Sequence, residues 1–377
     1  MTCSERALLH ANLNAYSAIK ILVDQEQNGG VCSKLEKTYL EPAARNSQVG
    51  NGKDQTMQDL AQKLEAVDRV EILTLVDNYV DVLLAGGLGF TRPALTKGGK
   101  IPGNTLVAEH GLSLLITVYR DGMSHSVLLD TGYNSTTMLH NMDYLNVDSA
   151  NIEAVVLSHG HMDHSGGLYP LLERLGRAVT VVAHPDVFRQ RFLVRPQVGK
   201  LSFPVIADRG DLQSLNAQFV EASGPVFLAE NTILVSGEVP RTTAFEKGMP
   251  GAFLEEHGEM VPDAIRDDQA VLIKLAGRGL VVISGCAHSG IINSIRYARE
   301  LTGDFRVAAV IGGFHLSGSD MEPLIESTLN ELKQLSPDLV MPMHCTGWNA
   351  IQRLQTEFSE SFVLSSVGTK LVLPREA

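Results

Sequence analysis

Between positions 158 and 167 the chain reads Ser-His-Gly-His-Met-Asp-His-Ser-Gly-Gly, which puts three histidines and a carboxylate within six residues. A neutral imidazole offers one nitrogen lone pair and a carboxylate offers oxygens, the ligand set that zinc, iron or manganese accepts. Four such groups on one loop are too many for a packing role. Buried without a cation, each would cost on the order of 1–3 kcal/mol as an unsatisfied polar group. The spacing suits a common target. In an extended segment His159 and His161 point the same way, while Asp163 and His164 fall where the chain turns into a helix. These four are the leading metal-ligand candidates.

The elements on either side have to hold that loop. Residues 154–157 (Ala-Val-Val-Leu) form a short, β-branched apolar run that predicts a buried strand, and the leucines of 168–175 have helical spacing. Upstream, 70–78 reads as a strand, 112–119 and 126–130 as a hairpin around Arg120-Asp121-Gly122, and 136–145 as a short helix. Residues 83–104 form a Gly-, Pro- and Lys-containing loop. Downstream, strands are expected at 179–185, 232–236, 270–275, 279–286, 307–311 and 339–343, and helices at 289–302 and 322–335. Alternation of this kind predicts an α/β fold.

Several strings then fall in a familiar order. The His-x-His-x-Asp-His loop resembles that of the metallo-β-lactamase superfamily. Leu128-Leu129-Asp130-Thr131-Gly132 resembles the strand whose aspartate braces that loop. Val281 to Cys286 resembles the strand ending in a metal-bridging ligand, and Val340 to His344 the one that delivers the last histidine. The resemblance runs from about Val70 onward. It implies a four-layer αββα sandwich, with Asp130 as structural support and His344 as a ligand. Cys286 stands where the family usually has a bridging aspartate, and His288, two residues on, is an alternative ligand.

The histidine that the family places between the first motif and this strand is not obvious. His184 and His257 are histidines in that interval, and Glu238 and Asp268 are carboxylate candidates for metal or pocket. His315, ending another strand, is a candidate for contact with substrate or metal. His110 beside Glu109 lies at a strand entrance, at the pocket edge. The strings Leu75-Val76-Asp77-Asn78, Gly237-Glu238-Val239-Pro240-Arg241, Asp267-Asp268-Gln269-Ala270, Gly285-Cys286-Ala287-His288-Ser289-Gly290, Gly312-Gly313-Phe314-His315 and Met343-His344-Cys345-Thr346-Gly347 resemble one branch of the superfamily. That branch includes the archaeal dihydropterin–ribofuranosylaminobenzene phosphate synthases.

Two further regions stand out. Residues 1–68 form an N-terminal extension with helices expected at 7–23 and 56–67. It would pack on the main domain, mediate self-association in an oligomer, or remain an unstructured tail. Residues 69–377 form the lactamase-like domain, with an insertion at about 186–228 that carries Arg189, Arg191 and Arg195 among Phe188, Phe192, Phe203 and Phe219. Arginines interleaved with aromatics suit an anionic, planar small molecule; a solvated surface lid would look the same.

Composition bounds the partners. Lys+Arg 31 against Asp+Glu 43 leaves a net charge of −12, which argues against nucleic acid or an anionic membrane as the main partner. The first residues lack a secretory signal, no apolar run spans a bilayer, and the four cysteines show no disulfide framework. A cytoplasmic protein with reduced thiols is expected.

The chemistry expected is metal-dependent hydrolysis of a small ester, lactone, lactam or phosphoester, with one or two zinc ions per chain and iron or manganese as alternatives. His159, His161 and His344 would hold one metal; Asp163, His164 and a shared Cys286 or His288 would hold a second. The metal lowers the pKa of bound water toward ~7, and Asp163 takes the proton. Two other readings keep the site: a dihydropterin-type transferase that forms a C–N bond and releases diphosphate, and a metal-bound ligand sensor.

Overall fold

The computed structural model describes residues 59–205 and 208–376. The expected helix at 7–23 lies outside the described residues. Of the one expected at 56–67, residues 59–63 are helical, and Ala66–Val67 is instead a strand paired with Lys274 and Leu275.

Two large sheets dominate. The first runs, in spatial order, Ala217–Glu221, Val179–Ala183, Ile152–Val156, Met123–Leu129, Ser113–Arg120, Arg69–Val76, Lys370–Pro374 and Phe90–Thr91. The second runs Val226–Leu228, Ile233–Val235, Ala270–Leu275, Gly279–Ser284, Val307–Gly313 and Val340–Met343, with Ala66–Val67 beside Ala270–Leu275.

Side-chain alternation decides the layers, because successive residues of a strand face opposite sides. Val70, Ile72, Leu114, Ile116, Leu129 and Val156 of the first sheet share one core with Val271, Ile273, Val281, Ile283, Ile311 and Met341 of the second. The two sheets therefore pack face to face. Their outward residues meet helices. Leu272, Leu280, Val282 and Val310 pack under Ile291–Thr302, Ile325–Leu335 and Trp348–Glu357. Leu128, Val155 and Val181 pack under Thr137–Leu145, Leu168–Leu175 and Arg209–Ser214. The architecture is the expected αββα sandwich. Each fully buried Leu, Ile or Val contributes about 1.5–3 kcal/mol of transfer free energy. Among the described residues no helix is long and apolar enough to cross a membrane.

The residues read as one insertion go to three places. Arg191–Arg195 and Gly199–Ser202 join Ala252–Glu256 and Glu259–Pro262 in a small four-stranded sheet, while Ala217–Glu221 and Val226–Leu228 are edge strands of the two large ones. Arg189 pairs with Glu256, Arg195 with Asp320, and Arg191 with Asp263 and Asp267. Each of the three is thus ion-paired within the chain. The hairpin at Asp121-Gly122 forms as read, with φ of 50° and 80° suited to a two-residue turn.

Parallel pairing then gathers the site. Met123–Leu129 and Ile152–Val156 run parallel, as do Gly279–Ser284, Val307–Gly313 and Val340–Met343. Their carboxyl ends open on one edge of the sandwich, which is where Asp130, the 158–165 loop, Cys286 to His288, His315 and His344 emerge.

Candidate metal centre

At that edge six side chains converge in two groups. Nδ1 of His161 lies 2.9 Å from Nε2 of His159 and 3.1 Å from Nε2 of His288. Nε2 of His344 lies 3.2 Å from Nε2 of His164 and 3.2 Å from Oδ2 of Asp163. The sequence reading had grouped His344 with His159 and His161. By distance the structure sets His288, not His344, beside His159 and His161, and sets His344 beside Asp163 and His164. His288 is thus a candidate for the place where no histidine was obvious.

Hydrogen bonds fix which ring nitrogens face inward. Asp130 accepts from the Ser158 N–H at 2.7 Å, the Ser158 hydroxyl at 2.7 Å and His164 Nδ1 at 2.7 Å. Because that hydroxyl donates to a carboxylate, it accepts from His159 Nδ1 at 2.9 Å. Oδ1 of Asn78 accepts from the Gly111 N–H and from His344 Nδ1. His159, His164 and His344 thus each carry their N–H on Nδ1 and turn the Nε2 lone pair inward.

Lone pairs 3.2 Å apart repel unless a proton or a cation lies between them. Burial lowers the His164 pKa, but Asp130 and Asp163 outweigh it and raise it to about 9. Burial pushes Asp163 up, and His164 and His344 more than reverse it, holding the carboxyl well below its usual range. His161 is the opposite case, lowered to about 3 chiefly by burial and then by Arg191. Its Nδ1 faces two ring nitrogens, and a neutral imidazole has only one N–H to offer. Metal–nitrogen bonds of about 2.0–2.1 Å place tetrahedral ligand atoms roughly 3.3 Å apart, close to the spacings in both groups. The donor set fits a metal pair.

The backbone is bent to make this site. Asp130, Ala287, His315 and His344 all hold left-handed φ, from 45° to 59°, a strain that persists only where surrounding structure enforces it. Gly285 lies so close to the brace that a Cβ there would sit 2.9 Å from Asp130 Oδ2. Glu246, from a distant loop, caps the helix Ile291–Thr302: Oε1 accepts the Ile292 N–H and Oε2 the Asn293 N–H, both at 2.9 Å. That cap anchors the turn carrying His288.

Burial outweighs those hydrogen bonds and raises the Glu246 pKa from 4.5 to about 7. The folded chain keeps this proton over a range where the unfolded chain has released it. Glu246 therefore contributes stability at low pH that is lost as pH rises from about 4.5 to about 7. Glu246→Gln should flatten this part of the stability-versus-pH curve, as read by melting temperature across it. An unchanged slope would contradict the assignment.

Other candidates divide. Cys286 Sγ lies 3.1 Å from His164 Nε2, between the two groups. The His315 ring stands 4.1 Å from that of His288, centroid to centroid. Asp268 accepts the Ser289 N–H at 2.8 Å, so it buttresses the turn behind His288. Glu238 does not join the cluster: it pairs with His184 at 3.1 Å with its side chain 44% exposed. His110, read only as a pocket-edge residue, reaches within 3.4 Å of Asp163 with its side chain 66% exposed at the rim. Asp77 and Asn78 hold His344 through its backbone and its ring. Their only signal was the shared string at 75–78.

Above these groups opens a cleft of about 560 Å³, walled by Leu193, Phe203, Met249, Trp348 and Ile351. A family model described as the metallo-β-lactamase superfamily matches residues 110–344. The chain belongs to the metallo-β-lactamase superfamily. It is an enzyme of that fold, a superfamily that usually binds metal ions, and the His, Cys and Asp side chains gathered here could hold a metal ion.

Within the superfamily, the chain is similar to the 7,8-dihydropterin-6-methyl-4-(β-D-ribofuranosyl)-aminobenzene-5′-phosphate synthase of Methanocaldococcus jannaschii. The two are 31% identical over 302 residues, or 78% of this chain and 94% of the synthase. An uncharacterised protein of the same organism, MJ0448, is 32% identical over 69% of this chain and 92% of its own length. Among solved structures, Tm1679, described as a metal-dependent hydrolase of the β-lactamase superfamily, aligns with a TM-score of 0.61 and 26% identity. The alignment covers 81% of this chain and 99% of Tm1679.

The brace around Asp130 makes a direct prediction for this lactamase-fold site. Asp130→Asn places an NH2 group where two N–H or O–H groups now donate, and frees the His164 tautomer. Metal affinity should fall about 10–100-fold, as measured by competition with a chelator. Unchanged affinity would mean that the ring is held by packing alone.

Proposed function

We propose that this enzyme is a metal-dependent hydrolase of a small organic ester, lactone, lactam or phosphoester, with zinc as the metal that its nitrogen- and carboxylate-rich donors favour and iron or manganese as the alternatives. One observation carries the reading: two groups of three donors lie at the floor of an open cleft, with His161 2.9 and 3.1 Å from its two partners and His344 3.2 Å from each of its own, while His164 and Asp163 stand 3.8 Å apart. His159, His161 and His288 would hold one ion; Asp163, His164 and His344 would hold the other. When bound, such ions polarise a carbonyl or phosphoryl oxygen and acidify water.

The side chains supply the rest. Asp163, 3.8 Å from His164 and 3.2 Å from His344 at the floor of the cleft, would orient the attacking water and accept its proton. His110, at 3.4 Å, is placed to pass that proton to solvent. Leu193, Phe203, Met249 and Trp348 exclude water and receive an apolar or aromatic body. His288 would supply the third nitrogen of its group, which favours turnover over a ligand sensor.

A second reading has an observation of its own, the identity shared with a synthase over 94% of its length. An aromatic amine would then replace water as nucleophile at a pterin methylene, forming a C–N bond as diphosphate leaves. Products formed in 18O-labelled water by the zinc-loaded enzyme distinguish the two. Hydrolysis of p-nitrophenyl esters, lactones or bis(p-nitrophenyl) phosphate with one 18O per product supports the proposal. Inertness toward all of them, with a coupled product from a pterin methyl diphosphate and an arylamine, would overturn it.

A further inference from the structure

Three groups beside the centre have no task in the mechanism above. Cys286, Cys345 and His315 follow three neighbouring strands of the second sheet, and their ligand atoms lie within 4.8 Å of one another. Both thiols are free and buried. Nδ1 of His315 is buried and has no hydrogen-bond partner among the described residues. The strands pack tightly here: a Cβ at Gly313 would meet the Gly285 carbonyl oxygen first, and then Cys345 Sγ at 2.6 Å. His315 itself takes a left-handed φ of 45°, which is uncommon for a residue with a bulky ring.

Cys286 is shared: its thiol also lies within 4.8 Å of the ligand atoms of His159 and His288 and of those of His164 and His344. Cys345 and His315 belong to neither of those groups, and each group has three donors without the thiol.

We propose that Cys286, Cys345 and His315 form a third metal site, thiolate-rich and selective for soft or borderline cations such as zinc, cadmium or copper(I). Metal–sulfur bonds of about 2.3 Å and a metal–nitrogen bond of about 2.0–2.1 Å put such donors roughly 3.5–3.8 Å apart, a separation the trio reaches with little movement. Both thiols give up their protons on binding. The two negative charges left on sulfur offset a cation set beside the other two. All three residues line the cleft, so the fourth position faces substrate.

The inference goes beyond the hydrolase reading, and its test measures no turnover. The full metal-free chain is titrated with cobalt(II), whose thiolate complexes absorb in the near ultraviolet while imidazole and carboxylate complexes do not. About three equivalents should bind, one of them bringing the sulfur band. Cys345→Ser and His315→Ala should each lose that equivalent and its band while retaining the other two. Two equivalents with no sulfur band would overturn the proposal and leave the metal pair standing. A band that survives Cys345→Ser but disappears in Cys286→Ser would also overturn it, because Cys286 would then serve the pair. Alkylation mapping of the unsubstituted chain covers the case of a variant that does not fold. Cys345 should react with iodoacetamide in the metal-free protein and be protected at three equivalents of zinc; equal reaction in both states counts against the site.

Discussion

Replacing His161 by alanine is expected to remove metal and turnover together. Its Nδ1 lies between the Nε2 atoms of His159 and His288, at 2.9 and 3.1 Å, so its loss opens the centre of that group. Metal assistance supplies several kcal/mol of transition-state stabilisation, and each 1.36 kcal/mol is tenfold in rate. The expected drop in kcat/KM is therefore at least about 10³-fold. His161 stands on the cleft side and contributes little to the core, so the melting temperature of the metal-free protein should barely move. Elemental analysis beside the rate assay checks both halves. Full turnover with the metal gone would contradict the assignment.

The largest effect on stability is expected at Arg191. Its guanidinium is buried, with Nε donating to Asp263 at 2.8 Å and Nη2 donating to Asp267. Arg191→Met leaves two buried carboxylates without a counter-charge, at a cost of about 3–5 kcal/mol. For a fold of this size that corresponds to a fall of about 4–6 °C in melting temperature. The damage should also reach the metals. Asp267 accepts the N–H of Gly160 at 2.7 Å, between His159 and His161, so the network that balances the charges also holds the loop. Thermal melts of the variant, alone and with Asp263→Asn, measure this. The second substitution should recover part of the loss because it removes one uncompensated charge. A melt that matches the unsubstituted protein would show the pairs to be worth nothing.

The first four ligand candidates were legible because six consecutive residues carry them, and short-range spacing needs no knowledge of the fold. The αββα layers were legible for a similar reason, since strands such as Val281 to Ser284 alternate between a facing sheet and a covering helix. The grouping of the ligands was not legible. Whether His288 or His344 sits beside His161 depends on how three parallel strands register across the sheet, and no spacing within the chain encodes that. Glu238 was misread because its Gly-Glu-Val-Pro-Arg setting looks like a site string, whereas the fold turns it toward His184. The arginines of the insertion suggested an anion partner, but their partners Asp320, Glu256, Asp263 and Asp267 lie 60 or more residues away. The hairpin of Ala252–Glu256 and Glu259–Pro262 carries no legible strand signal because its half-exposed strands lack clean alternation.

The central claim is the pair of three-donor groups, and the most direct test is metal stoichiometry in a Cys345→Ser background that takes the third site out of the count. That protein should hold about two zinc ions per chain. His288→Ala and His344→Ala in the same background should each lose one and keep the other. A His288→Ala protein that still holds both, beside a His344→Ala protein stripped of the ion bound by His159 and His161, would contradict the account and return His344 to that group.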